Sequence, residues 1–386
     1  MLDSYKTIVR IYGLVFGTLL MSMGLQMLFL RYYSGNLIEG EDMIIEKIPI
    51  SLMIVFMLIL TCSGLIIVYS LLQPAPKAIK YFHIDSKRNL TGEKTEKVER
   101  STELVLPKTK RLWLLFGLSL VVGIICLNLG GRALYIFPIC FVIAFSFPSL
   151  FWLSYVYRKT NGRGEPERMI LIALTWGMLS TLPASILNEL AAMQIGADMM
   201  KLFEEEVIGM AEIIVITVAA PIMEEILKPL GLILIIKRIK TPYEGILYGV
   251  TCGLGFAMIE NLLYEVWVVT VFGANEWTVT AFARGMGSTI LHTVGPAIVG
   301  FFYAKYHLSD FSGVVKLTLG FLCAFVIHGL WNLVGILPLI KSETPTDWEL
   351  ESFVILFFFT IFCIMIVTKL MNKGLKETVY EEGLES

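Results

Sequence analysis

Charged side chains are scarce in this 386-residue chain: Asp, Glu, Lys and Arg make up 17% of it, against 56% hydrophobic residues. That balance excludes an ordinary soluble domain and leaves a polytopic membrane protein. No block of like charge is present and the formal net charge is only -2, which speaks against a nucleic-acid partner and against a charged tail as the working element. Cysteine is sparse and unpatterned. Cys62, Cys126, Cys140, Cys252, Cys323 and Cys363 fall in apolar runs without CxxC or Cys/His clustering, so neither a disulfide framework nor a zinc finger is expected. The first apolar run follows Lys6 and Arg10 and lacks an A-x-A site, which predicts a retained helix, not a cleaved leader.

What is abundant is long apolar sequence. Stretches of about 20 residues predict ten spans, at 8–30, 48–73, 112–129, 133–157, 169–187, 207–236, 243–269, 281–304, 314–340 and 352–369, and hence an all-α transmembrane bundle. With the N-terminus inside, 24 of the 31 Lys and Arg residues fall in cytoplasmic segments and five outside. Such a bias places both termini in the cytoplasm. The segment 74–111, around "DSKRNLTGEKTEKVERSTE", is charged and aperiodic, and is expected to be a cytoplasmic loop. The chain accordingly divides into an N-terminal transmembrane region (1–204), a helical core (205–340) and a last span with its tail (341–386).

Against this apolar background a few ionisable residues stand out. Glu224 and Glu225 lie near the middle of the sixth span, Glu260 just past the middle of the seventh, and His292 and His328 at the centres of the eighth and ninth. A charge near a helix centre costs about 2.5–3.5 kcal/mol on insertion scales, so ionisable groups at that depth face one another or a wet cavity. One shared polar site is the economical reading. Helical spacing adds Lys228 one turn after Glu224 and Asn332 one turn after His328. Pro229 removes a donor from the turn carrying the glutamates and predicts a bend there. Arg284, two turns before His292, either orients the site or anchors its helix. Gly245, Gly249, Gly253 and Ala257 form a four-residue stripe that invites a close helix neighbour. Glu212 and Glu265 near outer helix ends, His307 at the interface and His83 in the loop are assigned no chemistry.

Two carboxylates and two histidines, without a nearby Ser or Cys nucleophile, point to activation of water. In one version His292, His328 and Glu260 bind a divalent metal, zinc suiting a His2Glu set, while Glu224 or Glu225 takes the proton. In the other no metal is needed: a buried glutamate activates water, and a histidine with Asn332 stabilises the oxyanion. A proton- or cation-coupled transporter would also carry midplane carboxylates, although its usual paired repeats are not evident.

"EEILK" at 224–228, "FAMIEN" at 256–261, "HTVG" at 292–295 and "HGLWN" at 328–332, in that order, resemble the PrsW family of intramembrane proteases, whose pattern runs EExxK, FAxxEN, H and HxxxN. The resemblance spans about 205–340. It implies an integral-membrane peptidase, usually classed as a metalloprotease, with Glu224, Glu225, Glu260, His292 and His328 as its working residues and Lys228, Asn261, Asn332 and Arg284 in support. It further implies a membrane-tethered protein as substrate, an anti-sigma factor in one known family role, and a prokaryotic cell membrane as the setting. The family is distantly similar to the CAAX prenyl endopeptidases and Abi proteins, where an FxxxH stands in place of Phe256 to Glu260. By that analogy Glu224 is expected to be the general base, supported by Glu225. The first five spans carry no motif, and nothing in the sequence sets the oligomeric state.

Overall fold

The structure, a computed structural model, describes residues 2–37, 50–73, 106–159, 167–202, 208–306, 311–341 and 350–381; His83, His307 and most of the 74–111 loop lie outside these. The described residues are helical almost throughout and contain no strand. The order is α1 (Leu2–Leu37), α2 (Ile50–Leu72), α3 (Thr109–Leu129), α4 (Phe137–Arg158), α5 (Glu167–Leu202), α6 (Ile208–Ile214), α7 (Ala220–Leu227), α8 (Gly231–Leu234), α9 (Pro242–Val271), α10 (Ala274–Ala283), α11 (Thr289–Tyr306), α12 (Phe311–Lys341) and α13 (Leu350–Glu381).

Among the described residues, eight helices are long and apolar enough to cross a membrane, and Met57–Leu72 is a shorter apolar helix. The exception is the sixth expected span. There the chain runs through α6, a π turn at Val215–Ala219, α7, a 3-10 turn at Lys228–Leu230 and α8. Pro221 and Pro229 carry no N–H, so regular i→i−4 pairing fails twice in this stretch. Elsewhere local signals mark helix ends plainly. Thr241 and Glu244 form a capping box ahead of α9, with Pro242 at the first helical position. Gly130 and Gly131, both at positive φ (64° and 53°), make the tight reversal between α3 and α4 that bulkier residues would strain.

The centre of the bundle is α9, which is buried along most of its length. Its glycine stripe lies directly on the backbone of α11: a Cβ at Gly245, Gly249 or Gly253 would overlap the carbonyls of Gly300, Pro296 and His292. A second glycine contact faces α5, where a Cβ at Gly255 would meet the Leu174 carbonyl and one at Gly177 the Cys252 carbonyl. Close approach of three backbones is what brings side chains from α9 and α11 within bonding distance of each other. At the N-terminal end, α1 and α2 pack together and attach to α5. Arg10 bridges to Glu167 at 2.9 Å and donates to the Leu71 carbonyl at 2.6 Å.

Gly253→Val places branched carbon against the His292 carbonyl, which belongs to backbone and cannot swing aside. Overpacking of well-packed interiors costs about 1–3 kcal/mol or more, and the expected result is loss of the monodisperse species in detergent size-exclusion chromatography. Gly117→Ala is the control, because nothing lies within 4 Å of its added Cβ.

Candidate functional site

Four elements contribute to one polar network. Lys228, fully buried at the end of α7, is its hub. Its Nζ lies 2.9 Å from Glu225 Oε1, 3.1 Å from Glu224 Oε2 and 2.8 Å from His292 Nδ1, and stands 4.4 Å from the centre of the Phe256 ring. An ammonium has three protons and three acceptors surround it. With Nδ1 of His292 accepting from the lysine, Nε2 carries the ring proton and faces the Glu260 carboxylate in close contact. Arg284 meets the same Glu260 oxygen, Oε2, at 2.9 Å, and its guanidinium stacks over Tyr264 at 3.8 Å.

His328 enters from α12. Its Nδ1 lies 2.9 Å from Glu225 Oε1, which leaves Nε2 turned toward Glu224 Oε2 at 3.8 Å. A histidine tied by one nitrogen to a carboxylate and presenting the other is the arrangement that orients metal ligands. Glu225 therefore spends its carboxylate on Lys228 and His328, and its Oε2 fills space above Gly295, where a Cβ would overlap it. The glycine of "HTVG" makes room for the second glutamate of "EEILK".

Donor atoms of Glu224, His292 and His328 all lie within 4.8 Å of one another, all three residues being buried. Ligands around a tetrahedral zinc, with bonds of about 2.0–2.1 Å, stand about 3.3 Å apart, so modest closure of these three would encircle an ion. Glu224 Oε2, like Glu260 Oε2, is buried without a well-formed hydrogen bond, its cation meeting it as an ion pair. The Nδ1 lone pair of His292 is taken by Lys228, so ligation there requires the ammonium to fall back on its two carboxylates. The residues fit a divalent metal on those terms. Glu260 is the most open acid of the network, its side chain 18% accessible against 8% for Glu224.

Two π turns precede the site residues. The first, Val215–Ala219, ends just before the turn that carries Glu224 and Glu225, and Asn332 of α12 donates from Nδ2 to the Ile216 carbonyl at 2.9 Å. The second, Arg284–Ser288, ends four residues before His292. Asn261 clamps it, accepting from Arg284 Nε at 3.0 Å and donating to Thr289 Oγ1 at 3.0 Å. π turns inside α-helices recur at functional sites because they re-aim the side chains that follow.

The structure thus joins Glu224, Glu225, Lys228, Glu260, Arg284, His292 and His328 through direct contacts, with Asn261 and Asn332 one step removed. Three participants escaped the sequence reading. Ser288, one helical turn before His292, lies 3.0 Å from its Nε2, a serine beside the histidine where the sequence reading had placed none. It does not form a Ser–His–carboxylate relay, because the far nitrogen of that imidazole faces a cation. Asn188 of α5 approaches Glu224 Oε1 at 3.5 Å, and Phe256 lies against both Lys228 and His292. The i, i+4 spacing of Ser288 and His292 was the available signal; Asn188, on a span without a motif, offered none. Glu265, assigned no chemistry, accepts from Trp277 Nε1 at 3.0 Å and ties α10 to α9.

Comparison with known proteins adds the family. Protease PrsW of Bacillus subtilis is 26% identical over 191 residues, covering 48% of this chain and 78% of that protein. Protease PrsW of Oceanobacillus iheyensis is 27% identical over 190 residues, 48% and 79% of the two chains, and that of Geobacillus kaustophilus 26% over 190 residues, 48% and 75%. No solved structure matches. The model described as PrsW family intramembrane metalloprotease matches residues 165–367. That match exceeds half of the chain and contains the whole Glu/Lys/His network, so the chain belongs to the PrsW family and is a peptidase of the membrane, not an ion-coupled carrier.

Proposed function

We propose that this peptidase cuts a membrane-tethered protein, using a divalent metal, zinc by its donor set, held by Glu224, His292 and His328, with Glu260 as general base. The observation that carries the ligand assignment is the convergence of those three side chains within 4.8 Å. It exchanges the roles that the sequence suggested for Glu224 and Glu260. When bound, such an ion acidifies water and polarises the scissile carbonyl. Glu260, the most accessible acid, accepts the proton of the attacking water, and its contact with His292 and Arg284 holds the carboxylate in place. Arg284, paired with Glu260, is the cation that would offset negative charge growing on the carbonyl oxygen. Glu225 holds the His328 ring with Nε2 facing Glu224. Lys228 keeps the two adjacent glutamates compatible in a buried setting.

With both termini in the cytoplasm, as the basic loops favour, Glu260 and Arg284 lie toward the outer half of the membrane. Water and substrate then approach from the outer side of a prokaryotic cell membrane. Labelling of new protein N-termini in membranes of cells with and without the protein tests this. A single-span protein with an outer juxtamembrane cut, absent with His328→Ala, is expected. Purified parent protein cutting that substrate should lose activity to chelator and regain it with zinc. Retained activity in excess chelator would replace the metal reading with direct carboxylate chemistry, and the absence of any cut would remove the tethered-protein assignment.

A further inference from the structure

The π turn that precedes Glu224 leaves one carbonyl without its natural donor. Pairing in that turn runs from residue i to residue i+5: the Ala220 N–H bonds the Val215 carbonyl. The next carbonyl in that register, Ile216, would take its proton from residue 221, which is proline and has none. In the low-polarity interior of a membrane an unpaired carbonyl is costly. The side chain found there is Asn332 of α12, donating from Nδ2 at 2.9 Å. The neighbouring carbonyl, Thr217, faces Gly329, where a Cβ would press on it. Absence of a side chain at 329 lets the two backbones approach, and Asn332 is one residue short of a full turn farther along the same helix.

We propose that Asn332 is a positioning residue: its amide replaces the N–H that Pro221 lacks, fixes the π turn at Val215–Ala219 against α12, and so sets the direction in which Glu224 and Glu225 meet His328. Its donor is spent on the Ile216 carbonyl, and a part in stabilising the oxyanion of the substrate does not follow from this geometry. His328 and Asn332 then serve one purpose from one helix face. The histidine engages Glu225 by its Nδ1, and the asparagine holds the backbone two turns upstream of that glutamate.

The exchange of donors gives a direct test. Pro221→Ala returns an N–H to the place where Asn332 now supplies one. The full-length protein, Asn332→Ala, Pro221→Ala and the double variant are compared in detergent by thermal unfolding and by zinc titration. Asn332→Ala alone should lower Tm and weaken zinc binding by about 10–100-fold, as loss of an outer-shell partner does. In the Pro221→Ala background the same change should cost much less in both. Equal losses in the two backgrounds would overturn the proposal, since neither an oxyanion donor nor a substrate contact is repaired by a backbone N–H at 221. The metal assignment on which the zinc arm rests can fail separately: if the parent binds no zinc, the Tm comparison alone decides. Should Pro221→Ala not assemble, Asn332→Gln, which keeps an amide donor, must exceed Asn332→Leu in Tm, and equality of the two would reject the proposal.

Discussion

Glu260→Gln is expected to lower kcat by about 10²–10⁴-fold, the usual contribution of a positioned acid–base group, while the purified protein still binds zinc at the proposed Glu224/His292/His328 set. Glu224→Gln is expected to lose the metal and the activity together. The contrast follows from where the two carboxylates sit. Glu224 faces both imidazoles, with Oε2 3.8 Å from His328 Nε2 and 4.0 Å from His292 Nδ1. Glu260 is tied to Arg284 and to the outer nitrogen of His292 and is the more accessible of the two. Glutamine preserves the shape of either side chain but takes a charge from the cluster, so thermal unfolding of each variant accompanies the comparison. The measurement is elemental analysis of each variant beside single-turnover cleavage of the substrate found by N-terminal labelling. Zinc lost from Glu260→Gln and kept by Glu224→Gln would reverse the two roles and return to the assignment that the sequence first suggested.

Lys228→Met is expected to be the most damaging single change to stability, at about 3–5 kcal/mol, the cost of removing one partner from a buried charge cluster. Methionine fills the volume but offers no proton: Glu225 and His292 each lose a hydrogen bond and Glu224 loses its ion pair. Lys228→Arg does not rescue it: a planar guanidinium cannot occupy the compact space above Phe256 where the ammonium stands. Lys305→Met breaks an ion pair to Glu377 that is about a quarter to a third exposed and should cost less than about 1 kcal/mol. Thermal unfolding in detergent separates them. A Lys228→Met protein as stable as Lys305→Met would mean that the two glutamates need no buried cation.

Much of this arrangement was legible in the sequence because the membrane makes polar residues conspicuous. Glu224, Glu225, Glu260, His292 and His328 could be placed at one depth by counting along apolar runs, and the Gly245/Gly249/Gly253 stripe announced the contact between α9 and α11. The break in regular helix at Pro229, observed as a 3-10 turn, was readable too, since a missing N–H is a property of one residue. The π turns were not. The bonds beside them run to other helices, from Asn332 to the Ile216 carbonyl and from Asn261 to the side chains of Arg284 and Thr289, and no local pattern around Val215 or Arg284 records that these asparagines stand opposite. For the same reason Asn332 looked like a companion of His328 on its own helix, whereas its bond runs to α6–α7 across the bundle. Asn188 joined the site through the packing of α5 on α7, information distributed over many residues at once.

The glycine contacts on two sides of α9 also make the two walls of the site unlike. With backbone pressed on backbone toward both α5 and α11, α9 can neither rotate nor slide by a residue without collision. That wall of the site behaves as a fixed anvil. The opposite wall has another character: α12 and the broken segment from α6 to α8 turn Leu319, Leu322, Val326, Leu330, Ile226 and Leu230 outward. What ties that wall inward is a pair of side-chain bonds from α12, His328 to Glu225 and Asn332 to the Ile216 carbonyl. The site is therefore built between one wall fixed by backbone contact and another held by side-chain bonds.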